Sequence, residues 1–229
     1  METNQGNLDL RALTIKDVIE IDLLQRFQDD FAKGVGVACL TVDPLGSPIT
    51  NHSCCTNFCS KFKESTEHCH RLCLETHRRN SEEAARVKRP VIYKCHAGLI
   101  GFATPIIVED KPIGSFLGGQ VLIEQPEEAE YREIAVRIGA DEDDYVQAVQ
   151  KVPKITREKV EAAANVLFFV ANNISNIAYM GLRMQSVAES ITSGLLKVSA
   201  TMDQLDKRQR DLSVKVKKIR IGKMTKHLM

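Results

Sequence analysis

Apolar and polar positions along this chain change rhythm several times, and each change marks an element. From Thr14 to Ala32 the apolar residues Val18, Ile21, Leu24 and Phe31 fall on one helical stripe. Thr14 is placed to cap that helix, Asp17 stands three positions later in an acidic first turn, and Gly34 is expected to end it. The run VGVACLTVD is rich in β-branched residues and predicts a strand; PLGSP reads as a turn and PIT as the start of a second short strand. From Thr56 to about Ala85 the chain is polar and charged, with a helical pattern in two pieces. Three further strand-like runs follow, PVIYKC, LIGFATPIIV and IGSFLGGQVLI, the last two joined by EDKP as a hairpin. After Pro126 the segments EEAEYREIAVRIG and DEDDYVQAVQKV read as short helices, and Pro153 separates them from a long final segment starting at Thr156. This order predicts an α+β fold with an antiparallel sheet of about five strands flanked by helices.

The final segment carries a different pattern. Leu167, Val170, Ile174, Ile177, Gly181, Met184, Ala188, Ile191, Leu195, Val198, Met202, Leu205, Gln209, Leu212, Val216 and Ile219 alternate by three and four. A repeat averaging 3.5 residues over about eight heptads is the signature of a coiled coil. A helix over this span would reach roughly 90 Å, too long to bury its stripe on a domain of this size. The simplest partner is the same helix of a second chain, giving a parallel homodimer. Gly181, Ala188 and Gln209 are weak points or places of close approach in that seam, and a folded-back bundle is the alternative. The basic end (Lys215, Lys217, Lys218, Arg220, Lys223 and Lys226) complements the negative end of a helix dipole; no base-reading motif accompanies it, so nucleic acid is not an expected partner.

Composition narrows the class. With 229 residues, 43% hydrophobic and 27% charged, and a net charge of +1, the chain has neither the charge nor the bias that pulls a protein to nucleic acid or membrane. Its N-terminus, METNQGNLDLRAL, lacks an apolar signal core, and its longest apolar stretch, VLFFVANNISNIAYMGL, is interrupted by Asn172, Asn173 and Asn176. A cytoplasmic protein that does not span a membrane is expected. In that compartment, seven cysteines point to metal or redox chemistry rather than structural disulfides.

Cys59, Cys69, Cys73 and Cys95 are the candidate metal ligands. Cys69 and Cys73 share a helix face, Cys59 lies near the end of the preceding piece, and Cys95 closes the strand PVIYKC. Three local thiols and one distant one can close a tetrahedral site. The spacing C-x9-C-x3-C-x21-C matches neither zinc-finger nor ferredoxin patterns, so the reading rests on ligand number. An iron–sulfur cluster leads, with zinc or a small organic ligand as alternatives. His68, His70, His77 and His96 are spare donors; Cys39 reads as a buried small hydrophobe, and the adjacent Cys54 and Cys55 are poorly suited to sharing one metal. A thiol enzyme would pair Cys95 with His96, oriented by Glu64, Glu67 or Asp110, but neighbours on a strand point to opposite faces. GLIG and GGQ lack the lysine and helix of a phosphate loop. The chain is therefore not expected to be an enzyme.

From Val35 to Glu124 the chain resembles the PocR sensory domain, a PAS-like ligand-binding module of bacterial and archaeal regulators. The resemblance is carried by VGVACLTVDPLGSPIT, NFCSKFKES, EHC and PVIYKCHAGLIGFATPIIVEDKPIGSFLGGQV, above all by YKCHAGL, then PI, IG and GGQ. It implies a PAS-like sheet with a pocket for a small hydrocarbon derivative such as a diol, lined by His96, Gly98 and Gln120. Cys59, Cys69 and Cys95 fall on the family's cysteine positions, whereas Cys73 is an added thiol. The part after Met184 looks like the signalling coiled coils of chemoreceptors and sensor kinases, which brings chemotaxis into view. No kinase, cyclase or DNA-binding domain follows it, so the output is expected from a downstream partner or a missing output domain. The expected organisation is a PocR/PAS-like sensory domain over 1–155 and a dimerisation and signalling helix over 156–229. The expected function is signal transduction: sensing of a ligand or of redox state through a cysteine-bound metal centre. The alternatives are a receptor for an organic ligand without metal, and a structural zinc-bearing dimerisation module.

Overall fold

The computed structural model describes residues 12–63 and 66–225, with side chains through residue 217. Its elements in chain order are α1 (Ile15–Val18), α2 (Ile21–Val35), β1 (Ala38–Val42), α3 (Asn57–Lys63), α4 (Glu67–Val87), β2 (Val91–Lys94), β3 (Ile100–Val108), β4 (Lys111–Val121), α5 (Glu128–Ile138), α6 (Glu142–Val149) and α7 (Arg157–Thr225). The strands form one antiparallel sheet in the order β1-β4-β3-β2.

The sheet has four strands rather than about five. The segment PIT meets β1 only at an isolated bridge between Val42 and Pro48. Proline has no N–H to give a ladder, and the pairing there is mixed: the Ile49 N–H donates to the Thr41 carbonyl at 2.8 Å, while the Thr41 N–H donates to the side chain of Thr50, Oγ1, at 2.9 Å. The expected first helix is also two helices. Its capping box forms, with the Thr14 N–H donating to Asp17 at 2.8 Å. The chain then turns extended at Ile19, and α2 ends at Gly36 (φ 78°), not at Gly34. The β3–β4 hairpin closes at Glu109 and Asp110 as the turn residues predict, and the cysteine-rich stretch forms the two helices α3 and α4.

The chain divides into two compact units. One is Asp9–Gly181; the other contains α7 from Leu182 onward. Within the first unit, α7 supplies the buried side chains Val160, Ala163, Ala164, Leu167, Ala171 and Tyr179. Leu167, expected in the dimer seam, is fully buried, because here the helix covers the sheet. The contact with β3 is polar as well. Strand β2 pairs with β3 only as far as Ala103. Beyond it, Asn172 Oδ1 accepts the Ile107 N–H at 2.6 Å and its Nδ2 donates to the Pro105 carbonyl at 3.0 Å. Asn176 repeats the pattern one turn on, accepting from the Glu109 N–H at 3.2 Å and donating to the Ile107 carbonyl at 3.4 Å. The two asparagines stand in for a missing strand and satisfy backbone groups that would otherwise go unpaired.

On its other side α7 leaves Val166, Phe169, Ile177 and Met180 exposed, and in the second unit Met184, Ile191, Leu195, Val198, Met202, Leu205, Leu212 and Val216 are all more than half exposed. No described helix is long and apolar enough to cross a membrane.

Candidate functional site

Two helices, a turn and all four strands contribute to one cavity of about 90 Å³, with Tyr93 from β2 and Ile100 and Gly101 from β3 among its walls. From α3 come Phe58, Cys59, Phe62 and Lys63. From α4 come Cys69, Cys73, Thr76 and His77, whose spacing of four, then three, then one places them on a single helix face. That face is registered at its start by Thr66, whose side chain accepts the Cys69 N–H at 3.0 Å. The turn after β2 brings Cys95, His96, Ala97 and Leu99; β1 brings Ala38, Cys39 and Leu40; β4 brings Leu117 to Gln120.

All four predicted ligand cysteines therefore line one space, as do His96 and Gln120. Gly98 does not line it and serves the turn instead. It sits at φ 84°, and an added Cβ would meet the Tyr131 ring at 2.8 Å and Ile134 at 2.9 Å. Cys95 and His96 were expected on opposite faces of a strand; both reach the cavity because β2 ends at Lys94 and the chain turns. The turn is tied from both sides. The Cys95 N–H donates to the Leu99 carbonyl at 2.8 Å and the Gly98 N–H to the Cys95 carbonyl at 3.0 Å. The hydroxyls of Tyr131 and Tyr145 donate to the carbonyls of Gly98 and Ala97 at 2.9 and 3.0 Å. Tyr145 is itself clamped by Phe58 and Phe62, with ring centroids 4.9 and 4.7 Å away.

Burial pushes the Cys95 thiol up, and the backbone N–H groups of the turn offset only part of that rise. Burial likewise raises Cys59 and Cys69, and pushes Cys73 up to about 12. It lowers His52 and His96, and holds His77 at about 4, helped by the positive charge of His52, Lys63 and His96 when protonated. At neutral pH the pocket thus presents neutral thiols beside neutral imidazoles. Cys69 Sγ lies 3.5 Å from His96 Nε2, and Cys73 Sγ lies 3.7 Å from His77 Nε2. A raised thiol is a weak nucleophile, so these pairs are ill-suited to covalent catalysis. Of the proposed orienting carboxylates, Asp110 is bonded to Lys88 at the hairpin, Glu67 is exposed, and Glu64 lies outside the described residues.

Cys54 is exposed at φ 51°. Cys55 accepts from Ser60 Oγ at 3.4 Å and Gln120 Nε2 at 3.6 Å; neither cysteine lines the cavity. Among the described residues, no three His, Cys, Asp or Glu side chains stand close enough to hold a single metal ion. The structure adds three residues that sequence reasoning passed over: Cys39, His52 and Lys63, all at the cavity wall. Cys39 was legible only as a small apolar residue on a buried strand, and nothing in the sequence tied His52 to a site.

A family model described as "Sensory domain found in PocR" matches residues 17–179. The match stops two residues before the end of the first compact unit at Gly181. The regulatory protein PocR of Salmonella typhimurium (strain LT2) is 29% identical over 153 residues, covering 66% of this chain and 50% of the relative. The chain thus spans about half the length of the curated relative it matches. No solved structure matches it with statistical significance.

Proposed function

We propose, given that the chain belongs to the family of sensory domains found in PocR, that it is a signal-transduction sensor in which the occupant of the cavity changes how β3 holds α7. The observation that carries this reading is the path of β3. Its pairing with β4 is irregular at two places: Ile100/Gly101, where both residues line the cavity, and Ile106/Ile107, where Asn172 and Asn176 bind. Bulges are places where a strand can re-aim its neighbours. A group that wedges between the Gly118–Gln120 corner and the turn at Cys95 pushes on the first irregularity, and the second passes that movement to α7.

The energies are commensurate. The four asparagine–backbone hydrogen bonds are worth about 1 kcal/mol each. Reversing a helix position from one state to the other needs roughly 5 kcal/mol of differential binding. Loosening the clamp therefore supplies a large share of the required bias without unfolding the domain.

Beyond Gly181 the exposed apolar side chains of α7 keep the three-and-four spacing of a coiled-coil seam, which supports a parallel homodimer as the receiver of that bias. A downstream protein would read the seam, as the signalling helices of chemoreceptors are read. An occupant with apolar bulk and a few polar groups suits the walls, since Phe62, Leu99 and Leu117 face Lys63, His52 and Gln120.

The test is amide hydrogen exchange at Ile107 and Glu109 during titration with short-chain diols. Occupancy should change the protection of both amides. A bound diol that leaves both unchanged would refute the transmission route.

A further inference from the structure

We infer that the cavity is built to hold an iron–sulfur cluster ligated by Cys59, Cys69, Cys73 and Cys95. The inference sets a cluster against the organic occupant considered above as the resident of the same cavity; only the cluster's signalling role rests on the sensor reading.

Three observations carry it. The first is convergence: thiols from α3, α4 and the turn after β2, up to 36 positions apart in sequence, line one cavity.

The second is the turn Cys95–Leu99. It carries Cys95 into the cavity wall, and the hydroxyls of Tyr131 and Tyr145 bond the carbonyls of Gly98 and Ala97, so the backbone behind this ligand is held in place before anything binds.

The third is spacing. A single tetrahedral ion with metal–sulfur bonds of about 2.3 Å would hold its sulfurs about 3.8 Å apart. No three donors among the described residues stand close enough to hold a single ion, yet the four thiols line a common cavity. Thiols arranged around a void suit a polynuclear group, each corner of which takes one ligand. The apolar walls exclude water, and Lys63 offsets part of the negative charge of a thiolate-ligated cluster. Ligation exchanges four S–H bonds for four Fe–S bonds and releases four protons, so metal binding supplies the deprotonation that burial opposes.

The experiment is anaerobic reconstitution of the full chain with ferrous iron, sulfide and a thiol reductant, followed by iron and acid-labile sulfide analysis and visible absorption. The expected result is a brown protein with about four iron and four sulfide per chain, bleached by air. The signal should be lost in Cys59→Ser and Cys95→Ser and kept in Cys54→Ser. A wild-type chain that retains no iron and sulfide overturns the proposal, and this arm needs no variant to fold. Full retention in both serine variants, checked as folded by circular dichroism, overturns the ligand set. One zinc per chain, bound tightly and blocking iron uptake, also overturns the cluster. Amide exchange at Ile107 separates the two readings: a cluster-free chain that still responds to a diol loses only this inference, whereas a loaded chain with an unresponsive helix loses only the sensor.

Discussion

Gln28 on α2 accepts the Thr50 hydroxyl at 2.6 Å, tying the helix to the segment that runs beside β1 outside the four-stranded sheet. The same Oε1 accepts the Thr41 hydroxyl at 2.8 Å, while Nε2 donates to Ser53 Oγ at 2.7 Å and to the Asn51 carbonyl at 2.8 Å. Gln28 is completely buried. One glutamine amide thus reinforces the segment 50–53 beside β1, where the backbone itself pairs only at Ser53 with Cys39 and at Ile49 and Thr50 with the Thr41 carbonyl.

Replacing Gln28 with leucine should therefore be costly despite the apolar surroundings. It strands the hydroxyl protons of Thr41 and Thr50, whereas Ser53 keeps its bond to Asp29, and each orphaned group costs about 1–3 kcal/mol. With partial rearrangement, Gln28→Leu is expected to lose about 3 kcal/mol of unfolding free energy in urea. A loss below about 1 kcal/mol would mean the network is dispensable.

The Asn172 clamp makes a sharper comparison because the chain carries its own control. Asn173 is exposed, and its amide reaches only the Phe169 carbonyl of its own helix. Asn172→Ala should destabilise the protein by about 1–2 kcal/mol and speed amide exchange at Ile107. Asn173→Ala should do neither. Equal behaviour of the two variants would remove the clamp from the account.

Gly98→Ala tests the turn that holds Cys95. The left-handed backbone alone costs an alanine about 1 kcal/mol. The new methyl would also meet the Tyr131 and Ile134 side chains under 3 Å away, which forces a shift in a packed core. A total loss of about 2–4 kcal/mol is expected by thermal or urea unfolding. Full stability with an unmoved Tyr131 would show that the turn is not locked as described.

Ile191 and Leu195 stand one helical turn apart and are 58% and 65% exposed. Changing both to lysine should convert a dimer into a monomer by light scattering. The unfolding of the sensory unit should stay within about 0.5 kcal/mol, because exposed positions far from a core change stability little. An unchanged mass in solution would remove the homodimer from the proposal.

Elements set by local pattern were legible from the chain. The capping box at Thr14 and Asp17, the α3 and α4 pair, the β3–β4 hairpin and the long run of α7 all follow from spacing and turn chemistry. The asparagines in VLFFVANNISNIAYMGL were visible as an interruption of an apolar stretch, but not as partners of β3. Their meaning depends on where β2 stops, about eighty positions earlier. The same holds for PIT, whose short β-like run meets β1 partly through the side chains of Gln28 and Thr50.

By itself the sequence determined the periodicities, and with them the α+β class, the heptad stripe and the presence of several soft donors, because these depend on residues close together in the chain. Only the tertiary structure decided that Cys59, Cys69, Cys73 and Cys95 share one cavity, that Gly98 shapes a turn instead of a wall, and that α7 is fastened to the sheet by Asn172 and Asn176. Those outcomes turn on which distant groups find partners when water is excluded, and that competition has no local signature.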